Sequence, residues 1–229
     1  MKNIKSYFSK FEIFLWCISV ILITASFIIF DRINYHTPLA SILGVTAIVL
    51  NAKGNPLGQL LMVIFSLVYG VISYGFSYYG EMITYIGMTM PMAVVALITW
   101  LKNPFKGNKS EVKVNRISKK ETAFMLIISI AVTILFYFIL RAFNTANLLP
   151  STLSVTTSFI AVYLTSRRSP YFSLAYGAND VILIILWVMA ATDNPSYISV
   201  AVCFVMFLAN DMYAFVSWRK MEIRQRTFD

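Results

Sequence analysis

Eight stretches of the chain are almost continuously apolar, at about 12–30, 37–51, 57–77, 82–101, 121–142, 149–166, 170–190 and 196–218, and the segments between them hold nearly all the charge. A helix rises 1.5 Å per residue, so crossing a hydrocarbon layer of ~30 Å takes ~20 such residues. The pattern therefore predicts an all-α, polytopic membrane protein with eight transmembrane helices. The runs 37–51 and 149–166 are short, and need their flanking residues to complete a crossing.

Charge orients these spans. Placing Lys and Arg on alternate sides of eight crossings puts 17 of the 19 on one side, leaving only Arg32 and Arg141 on the other. This asymmetry predicts both termini and the basic loop Lys102–Lys120 on the cytoplasmic side of the cell (inner) membrane. With 59% hydrophobic and 13% charged residues a water-soluble core is excluded. The net charge of +9 follows from topology and contact with the lipid bilayer, so no nucleic-acid partner is implied. The basic segment before residue 11 precedes an apolar run that ends in Asp31-Arg32 without a small-x-small cleavage site, so the first run reads as a membrane helix. Cys17 and Cys203 lie in apolar runs and read as small buried hydrophobes.

An internal repeat organises the spans. Setting Pro56 on Pro170 aligns Thr37–Pro56 with Ser151–Pro170 without a gap, and one four-residue shift then brings Trp100-Leu-Lys102 onto Trp218-Arg-Lys220. Helices two to four thus match helices six to eight in the same orientation, and one crossing helix between them restores the direction. The expected divisions are residues 1–36, an N-terminal basic segment and extra helix; 37–101, the first three-helix repeat; 102–148, the basic loop and linking helix; and 149–229, the second repeat with a basic tail.

Two polar words interrupt the apolar runs. Asn179-Asp180 and Asn210-Asp211 are each followed by six residues and a Trp, Trp187 and Trp218, thirty-one positions apart. Ionisable residues at membrane depth are costly and mark function. Tyr176, Asp180 and Trp187 share a helix face by i+4 and i+7 spacing, as do Asn210 with Tyr213 and Asp211 with Trp218. Two antiparallel helices can so present aromatic planes, amides and carboxylates to one cavity, a chemistry suited to a flat, hydrogen-bonding small molecule, neutral or cationic. Gln59 is a further candidate for this substrate-binding set. The bland alternative is interhelical glue, for a non-transporting assembly subunit. Pro91 is expected to kink the fourth span, while Tyr69, Tyr74 and Thr156-Thr157-Ser158 read as packing. His36 lies in a loop, which excludes an intramembrane His relay. Without nucleotide-binding, metal or catalytic-triad motifs the chain does not read as an enzyme, and no cofactor is implied.

The repeat, Asp180-Val-Ile and Asn210-x-x-Tyr213-x-x-x-x-Trp218 together resemble the PnuC family of vitamin transporters, over about residues 37–222. The resemblance implies a SWEET-like pseudo-symmetric fold, a homotrimer, and facilitated diffusion of nicotinamide riboside with trapping by a cytosolic kinase, as in NAD biosynthesis. It extends to thiamine, riboflavin and deoxynucleosides as substrates of relatives. One departure stands out. Nicotinamide riboside members carry Trp-x-x-Trp at the start of helix seven, where this chain reads Pro170-Tyr-Phe-Ser-Leu-Ala-Tyr176.

Overall fold

In the computed structural model, residues 7–75, 79–145 and 147–228 are described. Lys2, Lys5 and the last two positions of the run 57–77 lie outside them. The described residues form eight helices: α1 (Lys10–Phe30), α2 (His36–Ala52), α3 (Pro56–Gly75), α4 (Tyr79–Lys102), α5 (Lys119–Ala142), α6 (Leu148–Ser166), α7 (Phe172–Ala191) and α8 (Ile198–Arg226). Seven are long and apolar enough to cross a membrane, and α2 is a shorter apolar helix. A multi-pass helical membrane protein is the result.

Local chemistry sets the ends. Ser9 and Glu12 cap α1 reciprocally, the Ser9 hydroxyl accepting from the Glu12 N–H at 3.1 Å while the Glu12 carboxylate accepts from the Ser9 N–H at 2.6 Å. The turn after α2 reverses through Gly54 at φ 66°, with Gly54 N–H donating to Asn51 O at 2.8 Å and Asn55 N–H to Leu50 O at 3.1 Å. The turn after α6 repeats this geometry. There Arg168, at φ 59°, donates to Thr165 O at 2.9 Å, and Ser169 to Leu164 O at 3.0 Å. Both are Schellman-type closures, in the second case around an arginine rather than a glycine.

Helix α4 is not uniform. Tyr85–Thr89 is a π-turn, with the Met90 N–H reaching back to Tyr85 O, directly before Pro91. Proline lacks the N–H that the preceding turn would bond, and a wider turn absorbs the mismatch.

The segment expected as a plain basic loop holds a β-hairpin, an addition to the all-α reading. β1 (Pro104–Phe105) pairs antiparallel with β2 (Asn108–Val112) across Lys106-Gly107, both at positive φ, 48° and 77°. Two positive-φ residues make the tight turn whose twist suits a hairpin. β2 is then stitched to the bundle: the Val112 N–H donates to Gly54 O at 2.9 Å, the Gln225 amide to Val112 O at 3.0 Å, and the Asn115 side chain to Arg167 O at 3.1 Å. Glu222 pairs with Arg116, Arg219 and Arg226, and Glu111 with Arg224. The hairpin thus straps together the α2–α3 turn, the α6–α7 turn and the end of α8, at what we call the basic end.

Helices α2, α3, α4, α6, α7 and α8 form the bundle, with α1 packed on α8 and α2, and α5 packed mainly on α6. Two main apolar layers fill it, with a smaller cluster of Met88, Leu140 and Val155 beside α5. Phe65, Tyr69, Tyr85, Leu183, Trp187, Phe204 and Phe207 lie in the layer toward the opposite end; Trp100, Val112, Leu164, Phe172 and Trp218 form the layer at the basic end. The two indoles of the basic-end layer cross over. Trp100 Nε1 donates to Thr165 O at 2.9 Å and Trp218 Nε1 to Asn51 O at 2.7 Å. Cys203 is buried as expected, whereas Cys17 is exposed on α1. In a membrane helix a residue facing lipid is as apolar as one facing protein, so the run could not distinguish them.

Candidate functional site

Between the two apolar layers lies a cavity bounded by α2, α3, α4, α6, α7 and α8. Tyr176, Asn179 and Asp180 reach it from α7 and Asp211 from α8, so four of the nine residues expected at a site are brought together. The cavity is small, about 40 Å³, room for a few waters and not for a ring-bearing solute. Binding anything larger requires its walls to part.

Asn179 is held by a shelf of hydroxyls. Its Oδ1 accepts from Ser154 at 3.1 Å, Thr157 at 2.9 Å and Ser158 at 3.1 Å, all on α6. With the carbonyl oxygen engaged toward α6, the amide NH2 is the donor left for the cavity. Thr157 and Ser158, which read as packing in the sequence, support the site, and Ser158 also lines it.

Asp180 and Asp211 face each other across the α7–α8 contact. Each is 4% exposed and lines the cavity. Asp180 Oδ2 has no hydrogen-bond partner. No Lys, Arg or His lines the cavity among the described residues, and Arg219, about two turns along α8 from Asp211, does not pair with it. Arg219 pairs with Glu222 instead.

The other five expected residues point elsewhere. Asn210 follows from its neighbour by a 100° helix rotation, which turns it away from Asp211; its Nδ2 donates to Ser19 Oγ of α1 at 2.9 Å and to Met206 O at 2.7 Å. Tyr213 is on the same side and donates to Glu12 Oε1 at 2.8 Å, beside the Glu12–Lys53 ion pair at 3.3 Å. Trp187 packs on Tyr197 at 5.4 Å between centroids, in the layer toward the opposite end. Trp218 is fully buried in the basic-end layer, against Trp100 at 5.3 Å and Phe172 at 4.9 Å. Gln59 stands behind the wall and donates to Asn51 Oδ1 at 2.8 Å.

Sequence reasoning missed Asn51, Gly44, Ile48, Met62, Phe65 and Tyr85. Asn51 carried a signal, since it is a buried amide one residue before the end of α2. It read as the start of the turn Asn-Ala-Lys-Gly-Asn. The aromatic residues carried none, because Phe65, Phe204 and Phe207 are indistinguishable in composition from lipid-facing Phe. Gly44 is readable only in three dimensions: a Cβ there falls 2.5 Å from Phe207 Cζ and 3.2 Å from Phe65 Cε2.

The first three bundle helices therefore offer the cavity Gly44, Ile48, Met62, Phe65 and Tyr85, and the last three offer Ser158, Tyr176, Asn179, Asp180 and Asp211. Asn51 and Thr89 add polar groups on the first side and Phe172, Phe204 and Phe207 add rings on the second, so aromatic surface meets hydrogen-bonding groups on both sides while the carboxyl groups come from the second alone. No group of three or more His, Cys, Asp or Glu able to hold a metal occurs among the described residues.

Comparison with known proteins agrees with this architecture. The chain is 24% identical over 210 residues to the Nicotinamide riboside transporter PnuC of Neisseria mucosa, covering 90% of this chain and 80% of that protein. Its fold matches the crystal structure of the Vitamin B3 transporter PnuC with a TM-score of 0.82 at 21% identity, over 95% of this chain and 94% of the other. Residues 34–220, from just before α2 into α8, match the Nicotinamide mononucleotide transporter family, and the chain belongs to that family of membrane transport proteins.

Proposed function

We propose that the chain carries nicotinamide riboside across the membrane by facilitated diffusion, through the cavity between the two apolar layers. The observation that carries this reading is a cavity lined both by aromatic rings, with Phe65, Tyr85, Phe204 and Phe207, and by polar groups, with Asn179, Asp180 and Asp211. A pyridinium ring takes stacking and dispersion contacts on the first and a counter-charge from the second, while ribose hydroxyls need an amide donor and carboxylate acceptors. The nicotinamide riboside relative at 24% identity supports the choice of substrate. Tyr176 and Phe172 supply aromatic surface in the segment that lacks Trp-x-x-Trp.

The reading includes a parallel 3+1+3 repeat, in which α2–α4 and α6–α8 are equivalent and α5 links them, with eight crossings, both termini cytoplasmic in an inner membrane, and α1 as an addition. The crossed indole bonds support it, because residue 51 aligns with 165 and Trp100 with Trp218. The cavity supports it too: Gly44 and Ser158, Met62 and Tyr176, and Phe65 and Asn179 are aligned pairs that line opposite walls. The family resemblance adds a homotrimer and a cytosolic kinase that traps the incoming nucleoside.

Binding by the purified protein tests the assignment. Nicotinamide riboside, thiamine, riboflavin and deoxyadenosine are titrated side by side onto the parent and Asp180→Asn. Nicotinamide riboside is expected to bind most tightly, and Asp180→Asn to weaken the cationic ligands at least tenfold, ~1.4 kcal/mol, with deoxyadenosine little changed. Equal affinities in parent and variant for every ligand would overturn the reading.

A further inference from the structure

The strap that closes the basic end is fastened in two different ways. Its backbone bonds the backbone of three elements: the Val112 N–H donates to Gly54 O at 2.9 Å, Lys113 to Asn103 O at 2.8 Å and Asn115 to Arg168 O at 3.0 Å. To α8 it is bonded by side chains. The Gln225 amide, 3% exposed, is used like a strand edge: Nε2 donates to Val112 O at 3.0 Å and to Glu111 Oε1 at 2.8 Å, while Oε1 accepts from the Val114 N–H at 2.8 Å. The ion pairs Glu111–Arg224 and Arg116–Glu222 flank it; both arginines are more than half exposed, so these pairs add little. Toward α2, Ser217 and Trp218 bond the carbonyls of Ala52 and Asn51, again through side chains, at 2.7 Å each. The end of α8 is thus the element held by groups that let go through a change of rotamer, while the strap stays bonded elsewhere through its backbone.

Val112 is what makes this seam matter for passage. It is fully buried in the basic-end layer with Trp100, Leu164, Phe172 and Trp218. That layer separates the cavity from the basic end, and the cavity, at about 40 Å³, holds no ring-bearing solute until its walls part. A solute leaving toward the basic end must open the layer, and the strap crosses it. Gln225 stands seven residues beyond Trp218, ~10 Å farther along α8, where water can replace the partners of its amide once the seam opens. On the reading that this cavity carries solute, we infer that the seam between strap residues 108–116 and the end of α8 is the gate at the basic end, and that Gln225 is the residue that holds it shut. In the open state α8 has left Val112 O and the Val114 N–H to water, while the strap keeps its bonds to Gly54, Asn103 and Arg168. The gate binds no ion and draws on no energy source, so net flux still follows the solute gradient.

Two measurements on the purified full-length protein test this. With Cys17 and Cys203 replaced by Ala, Val112→Cys places a thiol in the closed layer, where a water-soluble maleimide is expected to react slowly. Adding Gln225→Ala is expected to speed the reaction at least tenfold. Gln225→Glu keeps the side-chain volume and the acceptor for Val114 but sets a carboxylate against Glu111, and is expected to speed it as well. Unchanged rates in both overturn the inference. The second measurement holds the seam shut. In the same cysteine-free background, Glu111→Cys and Arg224→Cys, at positions whose parent side chains are ion-paired, are joined by a short thiol-reactive linker that a reductant cleaves. In proteoliposomes the linked protein is expected to carry nicotinamide riboside at least tenfold more slowly, with affinity within twofold because the cavity still opens at the opposite end, and cleavage is expected to restore the rate. Transport at the unlinked rate with the linker in place overturns the inference. Failure of the transporter reading is distinguishable: the parent then carries no nicotinamide riboside at all, and the labelling rates at position 112 decide whether Gln225 holds the strap closed.

Discussion

Trp100 and Trp218 pack with tilted rings, 5.3 Å between centroids, and each donates its indole N–H to a main-chain carbonyl on the opposite half of the bundle, Trp100 to Thr165 and Trp218 to Asn51. Both carbonyls also accept the closing N–H of their own helix turn, from Arg168 and Gly54. The crossed pair therefore ties the ends of α4 and α8 to the ends of α6 and α2, sealing the cavity at the basic end.

Removing one crossed bond tests this seal. Trp100→Phe and Trp218→Phe each delete one N–H donor but keep an aromatic ring, and each carbonyl retains one partner, so the expected loss is about 1 kcal/mol apiece. Thermal unfolding of the purified proteins measures it. Because the rings touch, the double variant should lose less or more than the sum; strict additivity would mean that the two bonds act independently.

The spans were legible because a bilayer forces long apolar helices, and the basic segments because charge cannot rest in hydrocarbon. The hairpin after α4 was not legible, since its strands are short and polar and owe their order to Gly54, Gln225 and Glu222, which are distant in sequence. At the site, the two helices that carry the acidic groups were readable and direction was not. Asn179-Asp180 and Asn210-Asp211 stand on the packed helices α7 and α8, but adjacent residues on a helix diverge by 100°, and nothing local says which of the two faces the cavity. On α8 the aspartate does and the asparagine does not.

Gly44 lines the cavity and packs closely against the rings of Phe207 and Phe65. A methyl group there lies 2.5 Å from the Phe207 ring, closer than nonbonded carbons can approach, so that ring must swing into the cavity or away from it. Gly44→Ala is expected to reduce uptake at least tenfold with protein levels in the membrane kept, because strain of this kind in a packed interior costs about 1–3 kcal/mol. Uptake at the parent rate would show that solute does not pass between Phe65 and Phe207.

Orientation is tested by labelling. With Cys17 and Cys203 replaced by Ala, single cysteines at positions 3 and 227 are expected to resist an impermeant thiol reagent added outside intact cells, and to react after lysis. Reaction of either in intact cells would contradict eight crossings with the basic end inward.

The two asparagines that share one sequence word are expected to behave in opposite ways. Asn179 holds its amide toward the cavity by accepting three hydroxyls, so Asn179→Ala removes a substrate donor and orphans part of the α6 shelf; affinity should fall at least tenfold for cationic and neutral nucleosides alike, since an amide serves the ribose and not the charge. Asn210 bonds Ser19 on α1, a helix outside the family match at residues 34–220. Asn210→Ala should therefore weaken α1 docking by about 1 kcal/mol, in keeping with interhelical hydrogen bonds in membranes, and leave affinity within twofold. Thermal unfolding and ligand titration on the same preparations separate the two effects. If Asn210→Ala instead loses affinity while its unfolding temperature is unchanged, then α1 is not a clamp on the outside of the bundle, and the second polar word reaches the substrate through a conformation in which α8 has turned.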